Sequence, residues 1–145
     1  LVLPCALGCA GVTAKKREGD GATPLGVHAL LSFYLRRACA LRLPWRRTRP
    51  DDLWCDDARS FLYNRPMRAP ARLSHEEMWR KDHLYDIVIE TDWNRRPAVK
   101  GRGSAIFIHL RRTDGGPTAG CIALAPRDMR ILWPRLDGRT RIIVH

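Results

Sequence analysis

Short apolar segments rich in β-branched residues constrain the fold of this chain more than any other feature. Four of them run over residues 85–90 (YDIVIE), 104–109 (SAIFIH), 121–124 (CIAL) and 141–144 (RIIV), with Gly, Pro, Asn and Asp between them. Such segments, bounded by turn residues, are typical of strands, and nothing indicates a series of parallel βαβ units. The sequence predicts a mainly β fold with short helices (α+β). Its 145 residues suffice for one core, so we assign 1–145 to a single domain and leave open a truncated N-terminus.

Two short helices are expected beside the strands. Ser74 and Glu77 form the S-x-x-E capping box, which satisfies N–H groups at a helix start, so a helix would run from Ser74 to about Lys81. The second covers residues 126–136, where a proline stands in the first turn and apolar residues recur at i, i+3, i+4 and i+7.

The remaining segments carry weaker signals. Residues 15–26 hold three glycines and a proline and predict a long loop, whereas 28–43 is compatible with strand or helix. Residues 46–57 predict a turn-rich polar stretch in which Cys55 is structural and the aspartates fix the loop. Prolines predict an irregular surface run over 61–72.

The formal net charge of +11 limits the partners to be considered. Of the 26 basic residues, 22 are arginines scattered through the whole chain, as the codon usage of a GC-rich genome would also produce. An anionic substrate or an anionic envelope polymer fits this charge. Aromatic residues are not interleaved with the basic ones as a base-stacking platform requires, so nucleic acid is not expected. No apolar stretch approaches the roughly 18 residues of a membrane span. We also expect the protein to be a monomer.

The five cysteines are an odd number, which leaves at least one thiol free. Cys5 and Cys9 have C-x3-C spacing, but no histidine or second cysteine pair follows at the spacing of a structural zinc site. We therefore expect no metal and no cofactor, and the pairing of disulfides stays open. The other three cysteines are Cys39, Cys55 and Cys121.

A thiol and an imidazole stand at suggestive spacing. Cys121 follows the turn GGPTAG and enters an apolar run, and His109 ends the preceding run, AIFIH. On adjacent strands this pair is the minimum equipment for nucleophilic acyl chemistry. The backbone N–H groups of Gly120 and Cys121, with Ala119 as a third donor, would bind the oxyanion. The alternative for Cys121 is a small buried hydrophobe. Surface or packing roles are expected for His28, His75, His83 and His145.

Five segments follow one another along the chain: KREGDGATPLG, DDLWCDD, LYDIVIETDWN, GRGSAIFIH and PTAGCIALAPRDM. Together they resemble the L,D-transpeptidase catalytic domain, the YkuD-like family, and most of all its compact single-domain branch common in proteobacteria. The resemblance runs from about Val12 to the C-terminus. It implies a β-sandwich with a catalytic cysteine and histidine at adjacent strand ends. It also implies cysteine-dependent acyl transfer on peptidoglycan stem peptides, in the cell envelope or periplasm.

Carried over to this sequence, the resemblance makes Cys121 the nucleophile and His109 the general base. Leu110 would orient the imidazole through its carbonyl, and Thr118–Gly120 would form the turn before the nucleophile. The thiolate would attack the carbonyl at position three of a tetrapeptide stem, and the terminal D-Ala would leave. An amine of a second stem would resolve the thioester into a cross-link, whereas water would make the protein a carboxypeptidase. A non-catalytic peptidoglycan-binding module is the remaining alternative.

Three positions depart from the commoner family pattern. Many members have glycine or serine where this chain has Leu110, and a second histidine where it has Ala119. Where many members have Arg or Asn, this chain has Ala123. The alanine removes a polar contact to the substrate. We expect Arg102 or Arg111 to supply the missing charge.

Overall fold

The computed structural model describes residues 1–38 and 43–145, and over these ranges the chain is mainly β, which confirms the predicted fold class. The strands are β1 Cys5–Ala6, β2 Val12–Thr13, β3 Thr23–Pro24, β4 Gly26–Leu35, β5 Trp45–Arg47, β6 Asp52–Cys55, β7 Arg65–Arg68, β8 His75–Glu77, β9 Ile87–Thr91, β10 Phe107–Leu110, β11 Ile122–Leu124 and β12 Arg141–Val144. The helix α1, Pro126–Leu132, continues into a 3-10 turn, Trp133–Arg135.

The strands form one large sheet and two small ones. The large sheet has the order β1-β11-β10-β9-β4-β12, and β5 also pairs with β4. Within it β10 and β11 are parallel, whereas β9 is antiparallel to both of its neighbours, β10 and β4. A three-stranded sheet has the order β7-β6-β8, and β2 pairs with β3 alone.

Because successive side chains along a strand point to opposite faces, two apolar clusters form, one on each face of the large sheet. The first joins the sheet to the C-terminal helical region and includes Phe33, Ile89, Ile108, Ile122, Met129 and Leu132. The second joins it to the three-stranded sheet and includes Tyr34, Trp54, Met78, Val88, Phe107 and Cys121. Because side chains two residues apart share a face, His109 projects on the same side as Phe107. The predicted thiol and imidazole therefore both face the layer between the two sheets.

The four strands predicted from their β-branched residues are present. Segments 85–90, 104–109 and 121–124 correspond to β9, β10 and β11 with shifted ends, and 141–144 has the bounds of β12. The helix predicted over 126–136 ends as an α-helix at Leu132 and tightens into the 3-10 turn.

The helix predicted from Ser74 to Lys81 is wrong. Residues 75–77 form β8, which pairs antiparallel with β6 through Cys55 opposite His75 and Leu53 opposite Glu77. The capping-box residues had no apolar helical repeat behind them, and pairing with a buried strand outweighs a weak local preference.

The turn-rich stretch predicted over 46–57 has its turn at 50–51 but is wrong for residues 52–55, which form β6 with all four residues buried. Asp52 fits there since its carboxylate accepts from the Arg49 N–H at 2.8 Å and pairs with Arg46 at 2.8 Å. The structural interpretation of Cys55 agrees with its complete burial. In 61–72 the irregular run contains β7, an outer strand that tolerates its proline.

Two further sequence predictions concern the first half of the chain. The segment 28–43 is a strand as far as Leu35, within β4, and residues 39–42, with Cys39, lie outside the described ranges. The loop predicted over 15–26 is present, with only the two-residue β3 and the first residue of β4 inside it.

Candidate active site

Cys121 lies immediately before β11, at the end of a tight turn. Gly120 adopts a φ of 140°, and a Cβ there would lie 2.9 Å from the carbonyl oxygen of Ala22, so only glycine fits. The Thr118 hydroxyl accepts from the Gly120 N–H at 3.0 Å and donates to the Cys121 carbonyl at 2.7 Å. Because the Gly120 N–H is already bonded to Thr118, the N–H groups of Ala119 and Cys121 are the turn's remaining candidates for an oxyanion hole.

The N-terminal segment holds this turn in place, a contact that sequence reasoning missed. The Thr118 N–H donates to the Leu7 carbonyl, and the Cys9 N–H donates to the Thr118 carbonyl, both at 2.9 Å. Next to them the Gly8 N–H donates to the Thr23 hydroxyl at 2.8 Å. The two bonds to Thr118 join parts of the chain more than 90 residues apart, for which a local pattern gives no signal.

His109 lies on β10, beside β11. The parallel register places His109 opposite Ala123, two residues beyond Cys121. Its Nδ1 lies 2.8 Å from the Leu110 carbonyl oxygen, the contact implied by the family resemblance. Nδ1 must therefore carry the proton as donor, which leaves Nε2 as the basic nitrogen. Burial lowers the pKa of His109, the Leu110 carbonyl opposes that shift, and Arg80 adds to it. The imidazole is therefore kept neutral and ready to accept a proton.

The Cys121 thiol is held in its neutral form. It donates to the Ala105 carbonyl at 3.1 Å, and the Phe107 N–H points to its sulfur at 3.4 Å. Burial, together with the nearby Glu76 carboxylate, raises the pKa of the thiol to about 12. With its pKa raised in this way, the thiol is protonated in nearly all molecules at neutral pH. The thiol therefore needs a base that removes its proton during attack, rather than a stable ion pair.

Ala105, the acceptor of the thiol proton, has a left-handed backbone with a φ of 52°. This conformation costs a non-glycine residue about 1–2 kcal/mol. The buried Asn64 holds it, because Asn64 Oδ1 accepts from the Ala105 N–H at 3.1 Å and from Trp54 Nε1 at 3.0 Å. Asn64 Nδ2 in turn donates to the carbonyls of Trp93 and Asn94. Trp54 of the DDLWCDD segment therefore bonds the same Asn64 oxygen that holds Ala105, the residue whose carbonyl accepts the thiol proton.

Cys121 and His109 open into one cleft of about 690 Å³. Of the residues predicted from sequence, this cleft is also lined by Leu110, Arg111, Thr118, Ala119 and Ala123. Gly120 is buried behind them. Arg102 does not line this cleft: it lies over the ring of Trp93, 5.3 Å from its centroid, at a separate depression. Of the two arginines expected to supply charge, only Arg111 is near the pair.

Among the cleft residues that sequence reasoning missed, three lie close together: Glu76, Arg80 and Tyr85. The Tyr85 ring lies edge-on to His109, with the ring centroids 5.1 Å apart, and its hydroxyl donates to Glu76 Oε2 at 2.9 Å. Arg80 lies 5.1 Å from the centroid of the Tyr85 ring and pairs with Asp82. Tyr85 opens the YDIVIE segment, so its aromatic ring was a signal, but the sequence was interpreted only as a strand.

The other four histidines have different surroundings. His28 is buried with Nε2 3.1 Å from the Pro24 carbonyl, and Nδ1 of His75 lies 2.7 Å from the Leu73 carbonyl. His145 is exposed at the C-terminus. His83 is exposed, lines the cleft and contacts Asp86.

Within the described ranges, Cys5, Cys9, Cys55 and Cys121 are free thiols, and no group of three or more His, Cys, Asp or Glu is arranged to hold a metal ion. No helix in this part of the chain has the length and apolar character needed to cross a membrane.

Comparison with known families gives one match. The family model described as the L,D-transpeptidase catalytic domain, YkuD, matches residues 1–144, essentially the whole chain. Comparison with curated proteins and with solved structures gave no match.

Proposed function

The chain belongs to the L,D-transpeptidase catalytic domain family, YkuD, and we propose that it carries out cysteine-dependent acyl transfer on peptidoglycan stem peptides. Cys121 is the nucleophile and His109 the general base in this proposal. The observation that carries it is a neutral buried imidazole, with Nδ1 fixed by Leu110, facing the same cleft as a buried thiol. Because peptidoglycan lies in the cell envelope, this substrate class would place the protein in the cell envelope or periplasm.

The first step joins the thiol to the stem peptide. Nε2 of His109 takes the thiol proton while the sulfur attacks the carbonyl carbon of the third stem residue. Positioned proton transfer of this kind is worth about 10²- to 10⁴-fold in rate. The oxyanion that forms is stabilised by backbone N–H groups of the turn before β11, with Cys121 and Ala119 as the candidate donors. His109 then returns its proton to the amine of the departing D-Ala, and a thioester remains.

The second step releases the acyl group to an acceptor. An amine of a second stem attacks the thioester carbonyl, and His109 takes a proton from that amine. The C–S bond then breaks, His109 returns the proton to the Cys121 sulfur, and the new amide bond is the cross-link. Stem peptides carry carboxylates, and three arginines line the cleft. Arg80 and Arg112 are paired with Asp82 and Asp114. For Arg111, no ion pair occurs with any residue of the described ranges, which makes it the best placed of the three to bind a substrate carboxylate.

The proposal is tested by replacing the nucleophile. Wild-type protein incubated with tetrapeptide-stem fragments should gain the mass of a stem acyl group that has lost D-Ala, as seen by intact-protein mass spectrometry. Cys121→Ala should gain none and should release no D-Ala. Cys9→Ala is the matched control, because Cys9 is an exposed thiol outside the cleft lining. An adduct or D-Ala release that persists in Cys121→Ala contradicts the assignment of the nucleophile.

The acceptor separates transpeptidase from carboxypeptidase. Product masses are compared with and without an added amine acceptor. Cross-linked or amine-bearing products support transfer to an amine, and tripeptide alone in both reactions supports transfer to water.

The net charge of +11 favours a second candidate, a non-catalytic module that binds the wall. Such a module would sediment with insoluble peptidoglycan in a salt-sensitive way, since exposed charges are screened by salt. Sedimentation unaffected by Cys121→Ala, together with no turnover by the wild type, would favour this candidate over the enzyme.

A further inference from the structure

Glu76 is an acidic residue of the cleft that neither reaction step above uses. It lies on β8 opposite Trp54 of β6, and residues directly opposite each other in an antiparallel pair project from the same face. Trp54 is fully buried in the apolar cluster that includes Cys121. The Glu76 side chain therefore faces the layer between the two sheets, where it lines the cleft.

The charges that line the cleft are not all balanced. The other two acids of the lining are each paired with an arginine, Asp82 with Arg80 and Asp114 with Arg112. Glu76 forms no ion pair with any residue of the described ranges. Of the arginines that line the cleft, the one in the same situation is Arg111. The cleft thus has one carboxylate and one guanidinium whose counter-charge a substrate could supply.

One of the two carboxylate oxygens of Glu76 is in use. Its Oε2 accepts from the Tyr85 hydroxyl at 2.9 Å, whereas no hydrogen bond reaches Oε1 from a described residue. Burial raises the pKa of the Glu76 carboxyl, and the bond from Tyr85 and the charge of Arg80 oppose that shift. A cationic group of a ligand placed against Oε1 would favour the ionised carboxylate.

The position of Glu76 relative to His109 indicates which substrate group this cation is. The Tyr85 ring packs edge-on against His109, with the ring centroids 5.1 Å apart, and its hydroxyl ends at Glu76. Under the proposed function, His109 takes a proton from the acceptor amine, so that amine must come to the same side of the cleft. An alkyl amine is an ammonium ion at neutral pH. The acceptor therefore carries the charge that Glu76 lacks beside it.

We propose that Glu76 binds the acceptor amine, so that the thioester on Cys121 is transferred to an amine in preference to water. The carboxylate accepts hydrogen bonds from the ammonium as it enters the cleft. The ammonium loses one proton to solvent, and the neutral amine attacks the thioester carbon. His109 moves a second proton from the nitrogen to the sulfur as the C–S bond breaks, and the third stays on the amide. The inference rests on the proposed function, because it concerns the second step of that reaction.

A competition between two acceptors tests this role. Wild-type protein and tetrapeptide-stem fragments are incubated with Nα-acetyl-lysine amide, an ammonium ion at neutral pH, and with hydroxylamine, which is uncharged there. Mass spectrometry gives the ratio of amide to hydroxamate formed from the same thioester, whatever the rate at which the thioester forms. Glu76→Gln keeps an oxygen that accepts from Tyr85 but removes the negative charge. It should lower the ratio about tenfold, as the loss of one charge-assisted hydrogen bond predicts.

The neighbouring glutamate supplies the matched control. Glu77 is exposed on the same strand and lies outside the cleft lining, so Glu77→Gln should keep the wild-type ratio. Glu76→Asp keeps the charge and should give a ratio between those of wild type and Glu76→Gln. Equal ratios in wild type and Glu76→Gln overturn the proposal. An equal fall in Glu77→Gln also overturns it, because general attraction by surface charge would then be the cause.

Binding without reaction separates this inference from the proposed function. In Cys121→Ala, which forms no thioester, Nα-acetyl-lysine amide should bind more tightly than Nα-acetyl-norleucine amide, which lacks the amine, as measured by NMR titration. Adding Glu76→Gln should remove the difference. Equal binding of the two probes, or a difference that persists without the carboxylate, contradicts the role of Glu76. If the difference depends on Glu76 but the wild type forms no acyl adduct, the proposed function alone is contradicted.

Discussion

At the scale of single residues, the site combines a base that is easy to deprotonate with a thiol that is hard to ionise. Burial lowers the pKa of His109 and raises that of Cys121. The opposite directions follow from one cause, since a buried site disfavours any charged form. A proton therefore moves between them only when a substrate carbonyl accepts the sulfur's electrons.

The rate of acylation should depend on pH through His109. Its pKa is lowered from the ordinary value of 6.5, so the base is protonated and inactive only below that value. The rate of acyl-adduct formation should rise with pH to a plateau reached before neutrality, as measured by stopped-time mass spectrometry. His109→Ala should lower the plateau by about 10²- to 10⁴-fold. An unchanged rate in His109→Ala points to another base.

At the scale of elements, the register of β10 and β11 and the hydrogen-bonded turn at Thr118 bring His109 and Cys121 together. Thr118 is the central residue of the turn, because it bonds Gly120 and Cys121 through its hydroxyl and the N-terminal segment through its backbone. The strands at 85–90, 104–109, 121–124 and 141–144 were predictable because β-branched residues favour strands locally.

The strand at 75–77 was not predictable in that way, since it exists by pairing with β6. The residues of the site also differ in how far sequence alone indicates them. Cys121 and His109 stand out by residue type and spacing, whereas Tyr85 and Asn64 act through contacts that a local sequence pattern does not encode.

Thr118→Val should loosen the turn without removing the nucleophile. Two side-chain hydrogen bonds are lost, each worth about 0.5–1.5 kcal/mol net, so the free energy of unfolding should fall by about 1–3 kcal/mol. Acylation should slow as well, because the backbone donors lose their fixed direction. Thr113→Val, on the exposed part of the same connection, is the control. Equal denaturant midpoints for the two variants count against a structural role for the Thr118 hydroxyl.

At the scale of the whole molecule, Asn64 ties the second sheet to the segment behind the nucleophile. It is 1% exposed, and its side chain bonds Trp54, Ala105 and the backbone at Trp93 and Asn94. Apolar packing between the two sheets surrounds this polar junction. The positive φ of Ala105 is thus fixed by contacts from two distant parts of the chain.

Asn64→Ala should be strongly destabilising. It leaves the Trp54 and Ala105 N–H groups buried without acceptors, each at a cost of about 1–3 kcal/mol. The unfolding free energy from denaturant titration should fall by at least about 2 kcal/mol. If the midpoint stays at the wild-type value, the amide does not hold the segment behind the nucleophile.

The parallel pairing of β10 and β11 has a consequence for how such a protein can diversify. Parallel neighbours need a crossover between them, and here residues 111–121 make that crossover and form one wall of the cleft. Register fixes the positions of His109 and Ala123, and backbone hydrogen bonds to other segments hold the crossover at Arg111 and at Thr118. The exposed stretch 112–115 lies between these two fixed points, so its length and composition can change without moving His109 or Cys121. Under the proposed function, substrate choice could therefore change within this one short segment while the catalytic pair stays in place.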